Sequence, residues 1–211
     1  ATAKVRVVHL SRDAPGIDIY VDGQGPVLSD LNFGNSSDIL DAPTGTVTVQ
    51  IAATGGAPAD AVVELRDLIL EADRSYTAFA FGDLASIQGN TVEDSRQGLA
   101  TSHVRIRLIH AALGVGTVDI YELPLGGAPT ILAENLRYGT AAEPVDLPAE
   151  AFTAGIDVDD DGTPDLLFDV PPLEADTVVN VFAAIDANES VSLFAQLSGA
   201  ASAWIGFSKT E

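Results

Sequence analysis

The stretch that decides the fold is VRVVHLSRDAPGIDIYVDG, residues 5–23, and the chain uses it twice: residues 104–123 read VRIRLIHAALGVGTVDIYEL. In the first copy Val5, Val7 and His9 alternate with Arg6 and Val8. Ile17, Ile19 and Val21 then alternate with Asp18, Tyr20 and Asp22 before an Asp22-Gly23 turn. Strict alternation rich in β-branched residues and closed by a turn pair is the pattern of a half-buried strand. The second copy repeats it with Ile106, Leu108 and His110, then Val118 and Ile120. His9 matches His110, Asp18 matches Asp119 and Tyr20 matches Tyr121, all at one constant offset.

Two more echoes follow in the same order. Leu31-Asn32-Phe33-Gly34 answers to Leu136-Arg137-Tyr138-Gly139, and the Leu-Glu-Ala-Asp of residues 70–73 returns at residues 173–176, each time ahead of an apolar strand. Ordered matches of this kind mean duplication. The expected organisation is two domains, residues 1–102 and 103–211, each long enough for a modest core.

Working outward, Asn32 to Ser37 reads as a turn, Pro43-Thr44-Gly45 as another, and Val47, Val49 and Ile51 alternate onto one face. Residues 53–60 form a Gly/Pro/Ala loop, residues 62–65 and 75–82 read as strands, and residues 83–102 hold a last hairpin and the linker. Residues 65–73 are read as a loop, because the matched segment carries Pro171-Pro172. In the second half residues 166–170, 177–184, 191–197 and 203–207 complete the strands. Short strands with frequent turn signals and no helical stripe predict an all-β fold of two tandem Ig-like antiparallel β-sandwich domains.

Charge is the loudest compositional feature. Asp and Glu number 31 against 10 Lys and Arg, a formal net charge of −21. Such a surface repels nucleic acid and anionic membranes, which require basic patches. With 46% hydrophobic residues the chain is nonetheless a folding one, and no apolar run is long enough to cross a bilayer, so no membrane insertion is expected. Cysteine is absent, which removes disulfides and thiolate metal sites. An acidic, lysine-poor protein suits a high-salt or calcium-rich exterior. The first residues lead almost directly into a strand, so a secretion signal, if there was one, is expected to have been removed or left out.

The first half carries a resemblance. VRVVHLSRDAPGIDIYVDG, a Phe-Gly turn, a Pro-Thr-Gly turn into TVTVQI and LEADRSYTAFAFG together resemble the DUF4397 family. The resemblance implies secreted or surface-exposed β-sandwich domains, often in tandem, and carries no catalytic residues. The second half shares the strands but has Leu113-Gly114-Val115-Gly116 in place of the Asp-Ala-Pro turn.

Residues 157–165, Asp-Val-Asp-Asp-Asp-Gly-Thr-Pro-Asp, are the sharpest chemical signal. Asp157, Asp159, Asp161 and Asp165 occupy positions 1, 3, 5 and 9 of a calcium-type loop, Gly162 permits the bend and Thr163 can offer its carbonyl. Position 12 is Phe168 instead of a bidentate Glu, and the flanks read as strands, so this is not an EF-hand; Asp169 is the nearest replacement ligand. The expected cofactor is one structural Ca²⁺. The alternative is an acidic, solvated hairpin.

His9 and His110 sit in phase with Val, Ile or Leu on the inward strand face, and are read as hydrogen-bonded core residues. Asp18 and Tyr20, with Asp119 and Tyr121, alternate onto the other face, as structural groups or as a ligand surface. Ser11, Ser29 and Ser75 lack any nucleophile-elbow context. Asn35-Ser36-Ser37 and Asn188-Glu189-Ser190 are N-glycosylation sequons, which would mark exposed loops.

These readings converge on a non-enzymatic extracellular or cell-surface structural protein acting through protein partners or self-assembly, including strand pairing by residues 5–10 or 203–207 into a filament. A carbohydrate- or ligand-binding module and a secreted hydrolase stand as alternatives.

Overall fold

Val5, Val7 and His9 lie on β1 (Ala3–Leu10), and Ile17 to Val21 form β2 (Ile17–Val21). A computed structural model describes residues 1–124, 127–197 and 204–210, with the backbone alone at 204 and 205. It is all-β and divides into two units, Ala1–Ser95 and Arg96–Glu211. Among the described residues no helix is long and apolar enough to cross a membrane.

The first unit continues with β3 (Gln24–Leu31), β4 (Asn35–Ser36), β5 (Leu40–Ala42), β6 (Gly45–Ala53), β7 (Val63–Leu70), β8 (Ser75–Phe81) and β9 (Gln88–Glu93). One sheet places β1 between β8 and the short pair β4 and β5, with β9 beyond β8. The other runs β3-β2-β6-β7. Ala3, Val7 and Ala80 from the first sheet share one core with Ile17, Ile19, Val49 and Ile51 from the second. Period-two alternation put these side chains on one face of each strand, and burying those faces against each other is what holds the unit together.

The second unit is built from β10 (His103–Ala111), β11 (Val118–Leu123), β12 (Thr130–Leu136), β13 (Val145–Pro148), β14 (Phe152–Asp157), β15 (Leu166–Val170), β16 (Val178–Ile185), β17 (Val191–Leu197), β18 (Trp204–Gly206) and β19 (Ser208–Lys209). Its sheets run β13-β10-β16-β17-β18 and β12-β11-β14-β15-β19. Ile106, Leu108 and Val181 meet Ile120, Ile156 and Phe168 in its core, which Phe207 also enters.

Each unit departs from a purely antiparallel plan at the same place. β1 pairs with β8 in parallel, Val5 opposite Tyr76, and β10 pairs with β16 in parallel, Ile106 opposite Val179. The strands of the second sheet intervene in sequence, so the chain leaves the first sheet and returns to it in the same direction. β8 and β16 are buried along nearly their whole length, as expected of near-continuous apolar runs.

Three expectations are corrected. Residues 65–70 are not a loop: β7 extends to Leu70, held by β6 through a register shift between Val47 and Val49, and the turn is confined to residues 71–73. Asn35 and Ser36 are not a free turn but pair with His9 and Val8. Residues 5–10 are not an available edge, because β1 has ladder partners on both sides. Of the segment 203–207, Ala203 lies outside the described residues, and Trp204 to Gly206 pair with Gln196 to Phe194 of β17.

Candidate metal centre

β14 ends at Asp157 and β15 begins at Leu166, so the acidic stretch is the turn of a hairpin. The turn is closed at its base by two bonds: Asp165 N–H donates to the Ile156 carbonyl at 2.9 Å, and Val158 N–H to Asp165 Oδ2 at 2.9 Å. Asp157 is buried and organises the rest. Its Oδ1 accepts the N–H groups of Asp159 at 3.2 Å and Asp160 at 2.8 Å, and its Oδ2 that of Gly162 at 2.8 Å. Gly162 sits at φ +82, the left-handed region that glycine enters without strain.

The electrostatics of the turn are divided. Burial alone would raise the Asp157 pKa, but the N–H groups of Gly162, Asp160, Asp159 and Asp161 hold its carboxyl below the ordinary value. Asp159 moves the other way. Repulsion from Asp161, then from Asp165, pushes its carboxyl above the usual range, with burial and Asp157 adding to the effect. Oxygens of Asp157, Asp159 and Asp165 all lie within 4.8 Å of one another. Such an arrangement gathers negative charge that a divalent cation would neutralise.

Not every candidate ligand joins this group. Asp161 turns back on the chain, where its Oδ1 accepts the Thr163 N–H at 2.8 Å. Thr163 is exposed beside it; the group it gives to that bond is its N–H, which leaves the carbonyl expected as a ligand out of it. Asp169 stands in β15 opposite Thr153 and Ser208, and its Oδ1 accepts the Thr210 hydroxyl at 3.2 Å. An extended strand advances about 3.3 Å per residue, so the four steps from Asp165 carry Asp169 out of reach.

Two further residues support the turn: Asp119, read from the sequence only as a structural group or part of a ligand surface, and Gly155, which the sequence did not single out. Asp119 is the direct ladder partner of Asp157 across β11 and β14, and only 8% of it is exposed. Its Oδ1 accepts the Asn135 N–H at 2.6 Å. Gly155 lies beneath Pro164: a Cβ there would meet Pro164 side-chain carbons at 2.8 Å, so glycine lets the turn fold down onto β14. Neither role is readable before the hairpin register is known.

The first unit shows the same frame without the acidic turn. Ala52 takes the place of Asp157 opposite Asp18. There Asp18 closes the loop with its own carboxylate, accepting the Asp30 N–H at 2.9 Å and the Gly55 N–H at 2.9 Å. Tyr20 donates its hydroxyl to the Gly56 carbonyl at 2.7 Å. Asp18 and Tyr20 are buried by these contacts and form no open ligand surface. Tyr121, by contrast, is half-buried, and its pKa is raised by burial first, then by Asp119, Asp157, Asp160 and Glu134.

Both inward histidines are fully buried and held identically. His9 Nδ1 accepts the Ser11 N–H at 3.3 Å, which leaves Nε2–H to donate to the Pro15 carbonyl at 3.1 Å. His110 Nδ1 accepts the Ala112 N–H at 3.3 Å, and Nε2–H donates to the Gly116 carbonyl at 2.7 Å. Each ring meets an aromatic edge to face, Phe33 at 6.5 Å and Tyr138 at 6.0 Å, and each has an alanine as register partner, Ala80 and Ala183. Ser11 is buried beside His9, whose Nδ1 is taken by the Ser11 backbone, and Ser29 is an exposed strand residue; neither forms a nucleophile–base pair.

Fold and site together define an all-β protein of two units, each of facing sheets, the second bearing an acidic hairpin turn. The chain belongs to the DUF4397 family, a domain of unknown function whose model matches residues 3–121, from β1 into β11. No curated protein matches it. Among solved structures it is similar to a streptococcal virulence factor described for alpha-glucan binding, at 12% identity over 90% of this chain and 95% of that one, with a TM-score of 0.29. It is also similar to the Bacillus anthracis TIE protein, at 9% identity over 100% of this chain and 45% of that one, with a TM-score of 0.27. Likeness at this level carries no functional argument.

Proposed function

We propose that the protein is a non-enzymatic extracellular or cell-surface structural module made of two Ig-like sandwiches, the second stabilised by one calcium ion. The observation that carries the metal reading is the convergence of Asp157, Asp159 and Asp165 oxygens within 4.8 Å around a buried carboxylate. Asp157 already spends both oxygens on backbone donors, so the ion would share them, and the remaining ligands would come from Asp159, Asp165, carbonyls and water. The cation would offset the repulsion that raises the Asp159 pKa.

Placement outside the cell rests on the charge of −21 and on the millimolar calcium that such open turns need. A structural role is supported by His9 and His110, which are sealed in the core with both ring nitrogens engaged. Partners would be other proteins or further copies of this chain, met at exposed strands such as β3 and β12, with exposed Val27 and Ile131.

Calorimetry across a calcium titration tests this. The transition of the second unit should rise between chelator and ten millimolar calcium while that of the first stays. A melting profile that ignores calcium would reduce the turn to a solvated acidic hairpin.

A further inference from the structure

Asn188, Glu189 and Ser190 lie in the hairpin between β16 and β17 and spell an Asn-Xaa-Ser acceptor sequence. Asp186 builds the turn from within. Its Oδ1 accepts the N–H groups of Asn188 at 2.8 Å and Ser190 at 3.0 Å, and its Oδ2 the Ser192 hydroxyl at 2.8 Å. Its own N–H donates to the Ser190 carbonyl at 2.9 Å, and Glu189 holds a left-handed φ of 63°. The backbone of the tip is thus satisfied locally. Asn188 and Ser190 are both exposed, and among the described residues neither the Asn188 carboxamide nor the Ser190 hydroxyl makes a hydrogen bond.

The other sequon is the internal contrast. Asn35 is exposed, yet its Nδ2 donates to the Asn32 and Phe33 carbonyls at 3.3 and 3.4 Å. Ser37 is buried; its hydroxyl accepts the Val7 N–H at 3.0 Å and donates to the Asp38 carbonyl at 2.7 Å. Asn35 and Ser36 are also stitched to β1. Transfer to an asparagine requires its carboxamide to reach the sugar donor while the hydroxyl two residues on is free to be held by the transferase. Asn35 meets that requirement only if β4 first peels away from β1; Asn188 meets it as it stands.

We propose that Asn188 is the glycan acceptor of the folded protein, with a lipid-linked oligosaccharide phosphate as donor. In the transfer the Asn188 carboxamide nitrogen attacks the anomeric carbon. The new carbon–nitrogen bond forms as the carbon–oxygen bond to phosphate breaks, the lipid phosphate leaves with that electron pair, and the carboxamide surrenders one proton to a base of the transferase. Nothing is oxidised or reduced. The site fits the exterior location proposed above but is tested independently of calcium.

The test is transfer in vitro, with a purified oligosaccharyltransferase and its lipid-linked donor acting on the folded full chain and, as positive control, on the heat-unfolded chain. Intact mass and peptide mapping should show one oligosaccharide per folded chain, at Asn188, and modification of both sequons once unfolded. Asn188→Gln and Ser190→Ala should abolish the product on folded protein; Ser190→Thr and Asn35→Gln should leave it. Circular dichroism before transfer verifies that each variant is folded. A folded chain left bare at Asn188 while the unfolded chain is modified there would overturn the proposal. So would equal modification of Asn35 and Asn188 on the folded chain.

Discussion

Asp157 lies directly opposite Asp119 in the β11–β14 ladder, two buried carboxylates where the first unit pairs Asp18 with Ala52. Like charges facing each other across a ladder are destabilising. In the first unit the single carboxylate is fully used, one oxygen on Asp30 N–H and the other on Gly55 N–H. In the second, Asp119 keeps only the Asn135 N–H among the described residues, and Asp157 takes over the turn. The added carboxylate is coherent with a cation-dependent turn.

The first prediction separates ligands from bystanders. Calcium at a hundredfold excess over Kd should stabilise the second unit by about 2.7 kcal/mol, a melting shift of roughly 10 °C. Asp159→Asn and Asp165→Asn should remove most of the shift. Asp161→Asn and Asp169→Asn should retain it, since their oxygens lie outside the converging group. Equal losses for all four would mean a diffuse acidic field and no defined site.

The second concerns Gly155. An alanine there would press on Pro164 at 2.8 Å and lift the turn from β14. Gly155→Ala should destabilise the second unit by about 1–3 kcal/mol and weaken the calcium response together. A variant with unchanged melting and unchanged calcium shift would show that Pro164 moves aside freely.

The third uses pH. Burial lowers the pKa of His9 and His110 against the opposing pull of the Pro15 carbonyl on one and the Gly116 and Val115 carbonyls on the other. Protonation also forces Nδ1–H against the N–H of Ser11 or Ala112. Below about pH 6.5 the unfolded chain binds protons that the folded chain refuses, so stability falls as pH drops, by about 1.4 kcal/mol per unit for each histidine until the folded pKa is passed. Above that pH neither state is charged and the effect vanishes. Denaturant unfolding at pH 7.5 and 5.5 reads it directly. The double variant His9→Gln, His110→Gln should be less stable at both and lose most of the difference. The carboxylates with lowered pKa, such as Asp41 and Asp146, act in a lower window.

The fourth tests the loop anchor of the first unit. Asp18→Ala orphans the Asp30 and Gly55 N–H groups. The expected cost is about 2–4 kcal/mol, confined to the first of two melting transitions. Asp30 sits at φ 54, so its bulge depends on that bond. An unchanged transition would mean that water replaces the carboxylate without loss.

Much of this was present in the sequence because it is local. Period-two alternation marked β1, β2, β6 and β10, the repeated His-Asp-Tyr spacing marked the matching strands of the two units, and Asp-rich spacing with Gly162 marked the turn. The inward histidines were legible because parity along a strand assigns the face. Tertiary structure decided what depends on partners distant in sequence. Parallel pairing of β1 with β8 takes β1 off the edge, and β6 draws residues 65–70 into a strand that their own pattern did not announce. Register alone sets Asp119 against Asp157 and Gly155 beneath Pro164, and chain direction alone carries Asp169 away from the turn. A one-residue slip in a ladder reverses every face, so such neighbours exist only once the strands have been paired.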